Sequence, residues 1–165
     1  MQPLKKASHL TALVLITIIT IVFSACHVNT SYSNRAADKE DAEKIARRFY
    51  DLQKSGDFEN LPVLYSKELN AEHGGIDPER LRAIRERLGD VREITLEDWK
   101  TEVRVGTNPS ARYDLLYQVV RSKRMARESF SLVRNGDSIR IDNYEIEADG
   151  RRYVNGAESD SLEAR

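Results

Sequence analysis

Cysteine is almost absent from this 165-residue chain: Cys26 stands alone. No internal disulfide can form, so the fold rests on packing. A four-cysteine metal site is excluded for the same reason. Histidine is scarce as well, at His9, His27 and His73. His9 falls ahead of Cys26, His27 in the polar stretch after it and His73 in a loop beside Gly74-Gly75; zinc needs three or four protein ligands, so no metal is expected. Neither sign of charge dominates, with 26 Lys and Arg against 27 Asp and Glu. That balance offers no basic stripe of the kind that holds nucleic acid. Also missing are a Ser-His-Asp order, a phosphate loop and a nucleotide fingerprint, so no cofactor is expected. A long hydrophobic run occurs once, at the start.

That run, residues 10–23, is interrupted only by threonine. Lys5 and Lys6 precede it with no acidic residue, and Ser24, Ala25 and Cys26 follow it. A basic start, a short apolar segment and small residues at its end make a secretory signal. Cysteine at the cleavage point makes it resemble a bacterial lipoprotein signal, in which that cysteine is lipidated and becomes the new first residue. Phe23 departs from the pattern, which usually has an aliphatic residue three before the cysteine. The run is shorter than the ~20 residues a spanning helix needs, although with residues 24–26 it could just reach as an uncleaved anchor. Cleavage without lipid is the other alternative. The resemblance implies attachment to the membrane through lipidated Cys26. His27 replaces the aspartate that tends to retain lipoproteins at the inner membrane, which favours the periplasmic face of the outer membrane.

The expected organisation is a signal peptide at 1–25, a flexible tether at 26–38, one α+β domain at 39–148 and a polar, disordered tail at 149–165. Serine, threonine and asparagine dominate the tether, without apolar period. Asp38 or Asp41 is placed to cap a first helix in which Ile45, Phe49 and Leu52 fall at helical spacing, and Gly56 to end it. A second short helix follows Asp57, with Pro62 near its start, and residues 70–76 read as loop. Asp77 followed by Pro78 starts a third helix that Gly89 ends. The period then changes to alternation. Residues 91–105 read as a long, bent strand, 113–120 as a central strand apolar on both faces, and 125–133 and 138–147 as strands flanking an Asn135-Gly136 hairpin. The fold class expected is α+β, with N-terminal helices packed on a curved antiparallel four-stranded sheet.

Tyr113 and Val119, then Glu128, Leu132 and Val133, then Asn135 and Gly136, then Ile141, Tyr144 and Ile146 form a spaced pattern, and residues 56–69 precede it as GDFENLPVLYSKEL. Over residues 40–148 this resembles the NTF2-like (cystatin-like, cone-shaped) superfamily, in particular its small exported members. Relatives usually carry tryptophan two residues after the hairpin glycine, where this chain has Ser138. The resemblance implies a cone with a pocket between helices and sheet. It implies no activity, because one fold hosts many chemistries.

Enzymes of that superfamily place a carboxylate, histidine or tyrosine in the pocket. Glu128 is the low-ranked catalytic candidate here, sharing strand parity with Phe130 and Leu132. Desolvation would raise its pKa toward that of a useful base. The plainer and preferred reading is a solvent-exposed ion pair with Arg121, Arg124 or Arg127. Tyr113, Tyr117, Glu128 and Phe130 are the candidate pocket residues, with core packing the commoner role for such tyrosines. The basic run 121–127 reads as a solvated hairpin tip, with anionic lipid or peptidoglycan as the sharper alternative. The function expected is thus a non-enzymatic envelope lipoprotein that binds a protein partner or small ligand, itself a possible homodimer. The competing expectation is a small isomerase or lyase using Glu128 as base.

Overall fold

A computed structural model describes residues 30–159 except Asn108. Residues 1–29, with the expected signal peptide and Cys26, and residues 160–165 lie outside it. The chain runs β1 (Thr30–Ser33), α1 (Ala36–Ser55), a 3₁₀ helix (Phe58–Leu64), α2 (Lys67–His73) and α3 (Pro78–Leu88). Six more strands follow: β2 (Val91–Val105), β3 (Ser110–Arg121), β4 (Met125–Asn135), β5 (Ser138–Ala148), β6 (Arg151–Val154) and β7 (Ala157–Ser159). Each pairs antiparallel with its neighbour in one seven-stranded sheet of order β1 to β7.

The expected four-stranded cone is therefore corrected, because the sheet gains one strand at its start and two at its end. Residues 30–33, assigned to a tether, pair with 102–105 of β2. All four are exposed, so backbone hydrogen bonding holds them and no hydrophobic alternation marks them. Residues 151–159, assigned to a disordered tail, form β6 and β7. Their hairpins turn on Asp149-Gly150 and Asn155-Gly156, with φ of 52°, 71°, 48° and 78°. Positive φ at both central residues is what a tight two-residue hairpin needs.

Local chemistry explains the helix boundaries. α1 begins at Ala36, earlier than its acidic residues suggested, and Asp38 lies in its first turn rather than capping it. The carboxylate favours the positive end of the helix dipole from there. Pro62 holds the following segment to a 3₁₀ helix, and Ser66 then caps α2 by accepting a hydrogen bond from the Leu69 amide at 2.9 Å. The expected loop at 70–76 is thus helical as far as His73. Asp77 accepts from the Glu79 amide and Pro78 opens α3, as capping chemistry requires.

Irregular register between Val91 and Glu93 and between Leu96 and Asp98 bends β2. On one face of the sheet Tyr113, Leu115, Tyr117 and Val119 of β3 lie beside Ala126, Glu128, Phe130 and Leu132 of β4, all buried. Ala42, Ala46, Phe49 and Gln53 form the buried stripe of α1. The Phe49 ring meets Phe130 at 5.2 Å and Tyr144 at 4.7 Å, and Tyr50 meets Tyr117 at 5.7 Å, all edge-on. Edge-to-face packing of this kind adds to what burial alone supplies.

Candidate functional site

Glu128 lies in this aromatic core with no solvent exposure. Strand pairing puts it opposite Tyr117 on β3 and Ile146 on β5. Its Oε1 accepts from Arg121 Nε at 2.8 Å, and its Oε2 accepts from the Tyr144 hydroxyl. Arg121, the last residue of β3, keeps the inward parity of Tyr117 and Val119, and its side chain is 1% exposed. It also donates to the Gly89 carbonyl at 3.3 Å and to Gln53 Oε1 at 3.2 Å. One strand end, one helix and the α3–β2 junction thus converge on a single buried ion pair.

Burial works against a charged guanidinium, but the Glu128 charge and hydrogen bond more than offset it and hold the Arg121 pKa above its ordinary value. Burial first, then the adjacent Glu128 charge, pushes the Tyr144 and Tyr50 phenols well above theirs. The set is chemically quiet. Both carboxylate oxygens are occupied, the arginine is committed, and the phenols resist ionisation. A general base must reach the proton it abstracts, and this carboxylate faces neighbouring side chains instead.

Clefts open elsewhere. One of about 430 Å³ lies beside Phe58, Arg82 and Arg85; one of about 350 Å³ beside Arg35, Val103 and Arg134; and one of about 290 Å³ beside Trp99, Asp114 and Ser131. Another, of about 230 Å³, lies beside Ile84 and Tyr153, and Glu128 lines none of the four.

Sequence reasoning placed Glu128 on the correct face and named Arg121 among its partners, but put the pair in solvent. The correction has a physical cause: β3 extends to Arg121, so the guanidinium points inward rather than into a hairpin tip. Tyr113 is buried, and its hydroxyl accepts from Arg134 at 2.8 Å. Tyr117 is buried against Tyr50 and Phe130, and its hydroxyl has no partner among the described residues. Phe130 sits at the centre of the ring cluster. The four pocket candidates are therefore neighbours or near neighbours in a packed core. Cys26 lies outside the described residues.

The basic run 121–127 is also dispersed. Arg121 is buried, Lys123 donates to the Glu86 carbonyl, Arg124 pairs with Asp149 and Arg127 with Glu97. Sequence reasoning missed Gln53, Tyr144 and Arg134 as polar partners. Gln53 was legible in principle, because it falls on the apolar stripe of α1 four residues after Phe49. No protein-family model, curated protein or solved structure matches the chain.

Proposed function

We propose that this protein is a lipid-anchored component of a bacterial envelope whose folded domain binds rather than catalyses. The anchor reading rests on Lys5 and Lys6, the apolar run 10–23 and the small residues that lead to Cys26. The observation that favours binding over catalysis is the full engagement of Glu128, the one carboxylate that sequence reasoning had offered as a base. The outer membrane, periplasmic face, is the location that His27 favours.

Attachment by two or three chains would be effectively permanent, since each buried CH₂ contributes ~0.8 kcal/mol and a single chain is marginal. The domain also sits closer to its anchor than a long tether would allow. Cys26 and Thr30 are four residues apart, and an extended chain covers at most ~3.6 Å per residue. Fractionation of cells carrying Cys26→Ser tests the reading. Release of the protein into the soluble periplasmic fraction supports it, and unchanged membrane retention contradicts it in favour of an uncleaved helix.

A further inference from the structure

Helix cover on the inner face of the sheet stops before the strands do. Asn34 follows β1, donates its amide to the Thr101 carbonyl at 3.0 Å and accepts from the Thr101 amide at 2.9 Å. α1 begins two residues later, at Ala36, whereas β2 continues past Thr101 to Val105. Alternation puts Thr101, Val103 and Val105 on the inner face. Register sets Ala111 and Tyr32 beside Val103, and Thr30 beside Val105. Arg104 falls on the opposite face, where its charge acts on Glu102.

This overhang is apolar and open. Among the described residues four large apolar side chains are exposed, and two of them, Tyr32 at 38% and Val105 at 52%, lie diagonally across this one strand pair. The other two, Val63 and Met125, belong to the 3₁₀ helix and to the start of β4. Pro109, also exposed, and Arg134 line the same cleft as Val105, of about 350 Å³. Arg35 stacks over the Tyr32 ring at 4.2 Å and holds Asp38, the one acid in the cleft lining.

The place where the chain enters decides what meets this surface. Thr30 pairs with Val105, so four extended residues from Cys26 hold the overhang within ~14 Å of the anchor point. Residues 160–165 continue from β7, at the far edge of the sheet from β1. A surface held that close meets the bilayer at high effective concentration, so weak apolar contact suffices. Valine and proline suit the first acyl methylenes. Tyrosine and arginine, each with an apolar body and a polar tip, suit the headgroup level.

Resting on the lipid-anchor reading, we propose that this overhang is the face by which the domain rests on the bilayer. Val105 and Pro109 enter the interface, and Tyr32 and Arg134 lie among the headgroups. The domain is held end-on, with its β3–β4 turn directed away from the membrane.

The test uses the full-length lipidated protein in vesicles of phosphatidylethanolamine and phosphatidylglycerol. Lipidation consumes the natural thiol, so Val105→Cys supplies a single site for a nitroxide label. Val63→Cys and Met125→Cys supply comparably exposed controls, and exposure at all three positions lets the label be carried without loss of folding. Spin resonance compares collisions with oxygen, which concentrates in lipid, against those with a water-soluble nickel chelate. The expected result is an oxygen-to-nickel ratio several-fold higher at position 105 than at 63 and 125, with Pro109→Cys following 105.

A ratio at 105 equal to that at the controls would overturn the proposal. So would a label at 105 shielded from both reagents, with spin–spin broadening that grows with protein density, because that marks a second copy on the overhang. Intact mass of the labelled protein separates the two readings. One nitroxide on an acylated chain, with position 105 in water, contradicts the bilayer face alone. A second nitroxide, at Cys26, contradicts the anchor and overturns the bilayer face with it.

Discussion

At the residue scale, the Arg121–Glu128 pair decides how the core should be perturbed. Removing one partner leaves the other charge buried and uncompensated, which costs about 3–5 kcal/mol in comparable settings. Glu128→Gln should therefore destabilise the domain by about that amount, measured by urea denaturation. The double variant Arg121→Met with Glu128→Leu should recover most of the loss, because well-packed apolar replacements of buried pairs are often neutral or stabilising. Equal destabilisation by the single and double variants would show that packing, not charge, holds the site.

The tyrosines make a prediction in pH. Burial raises the pKa values of Tyr50, Tyr65, Tyr117 and Tyr144 above the ordinary phenol value. The folded state thus keeps protons that the unfolded state begins to release near pH ~10. This stabilising difference is fully present below that pH and is lost as pH rises beyond it. Stability should fall progressively above pH ~10, and tyrosinate absorbance from these four rings should appear together with unfolding. A titration of all tyrosines in the folded state, complete before any loss of structure, would contradict their burial.

Elements were legible where side chains mark them. The Asp77-Pro78 start of α3, the Gly56 end of α1 and the alternation along β2 to β5 all follow from local chemistry visible in the sequence. β1 was not legible, because an exposed edge strand is held by a neighbour about 70 residues away and carries no periodic pattern. β6 and β7 carried their signal in Asp149-Gly150 and Asn155-Gly156, but strands of only three or four residues beside such turns read as tail.

Gly89 is the glycine on which the element scale depends most. It adopts φ 89° and ψ 177°, a region open essentially to glycine alone. A Cβ there would stand 2.7 Å from the Lys123 amide nitrogen, and the Gly89 carbonyl is one of the acceptors of Arg121. Gly89→Ala should cost at least about 1–3 kcal/mol from backbone strain alone, read as a lower thermal midpoint. An unchanged midpoint would mean that the α3–β2 junction moves freely, and that the ion pair does not depend on it.

At the scale of the whole molecule, Glu128 and the candidate tyrosines lie apart from the four clefts. Glu128, Tyr117 and Phe130 were pocket candidates, with core packing the commoner role for such tyrosines, and they fill a core. The cleft beside α1 draws Arg35, Val103 and Arg134 from three distant stretches of chain, and only the fold brings them together. Tyr113 links the two, because its ring is core and its hydroxyl accepts from Arg134. On the proposed anchor reading, the four-residue spacing between Cys26 and Thr30 keeps the β1 end of the sheet close to the membrane.

Intact mass spectrometry of the protein extracted from bacterial membranes tests this most directly. The account predicts a chain that begins at Cys26 and carries the mass of a diacylglyceryl group, with or without a third acyl chain. A product that retains Met1, or one that begins at Cys26 with a free thiol, would contradict it.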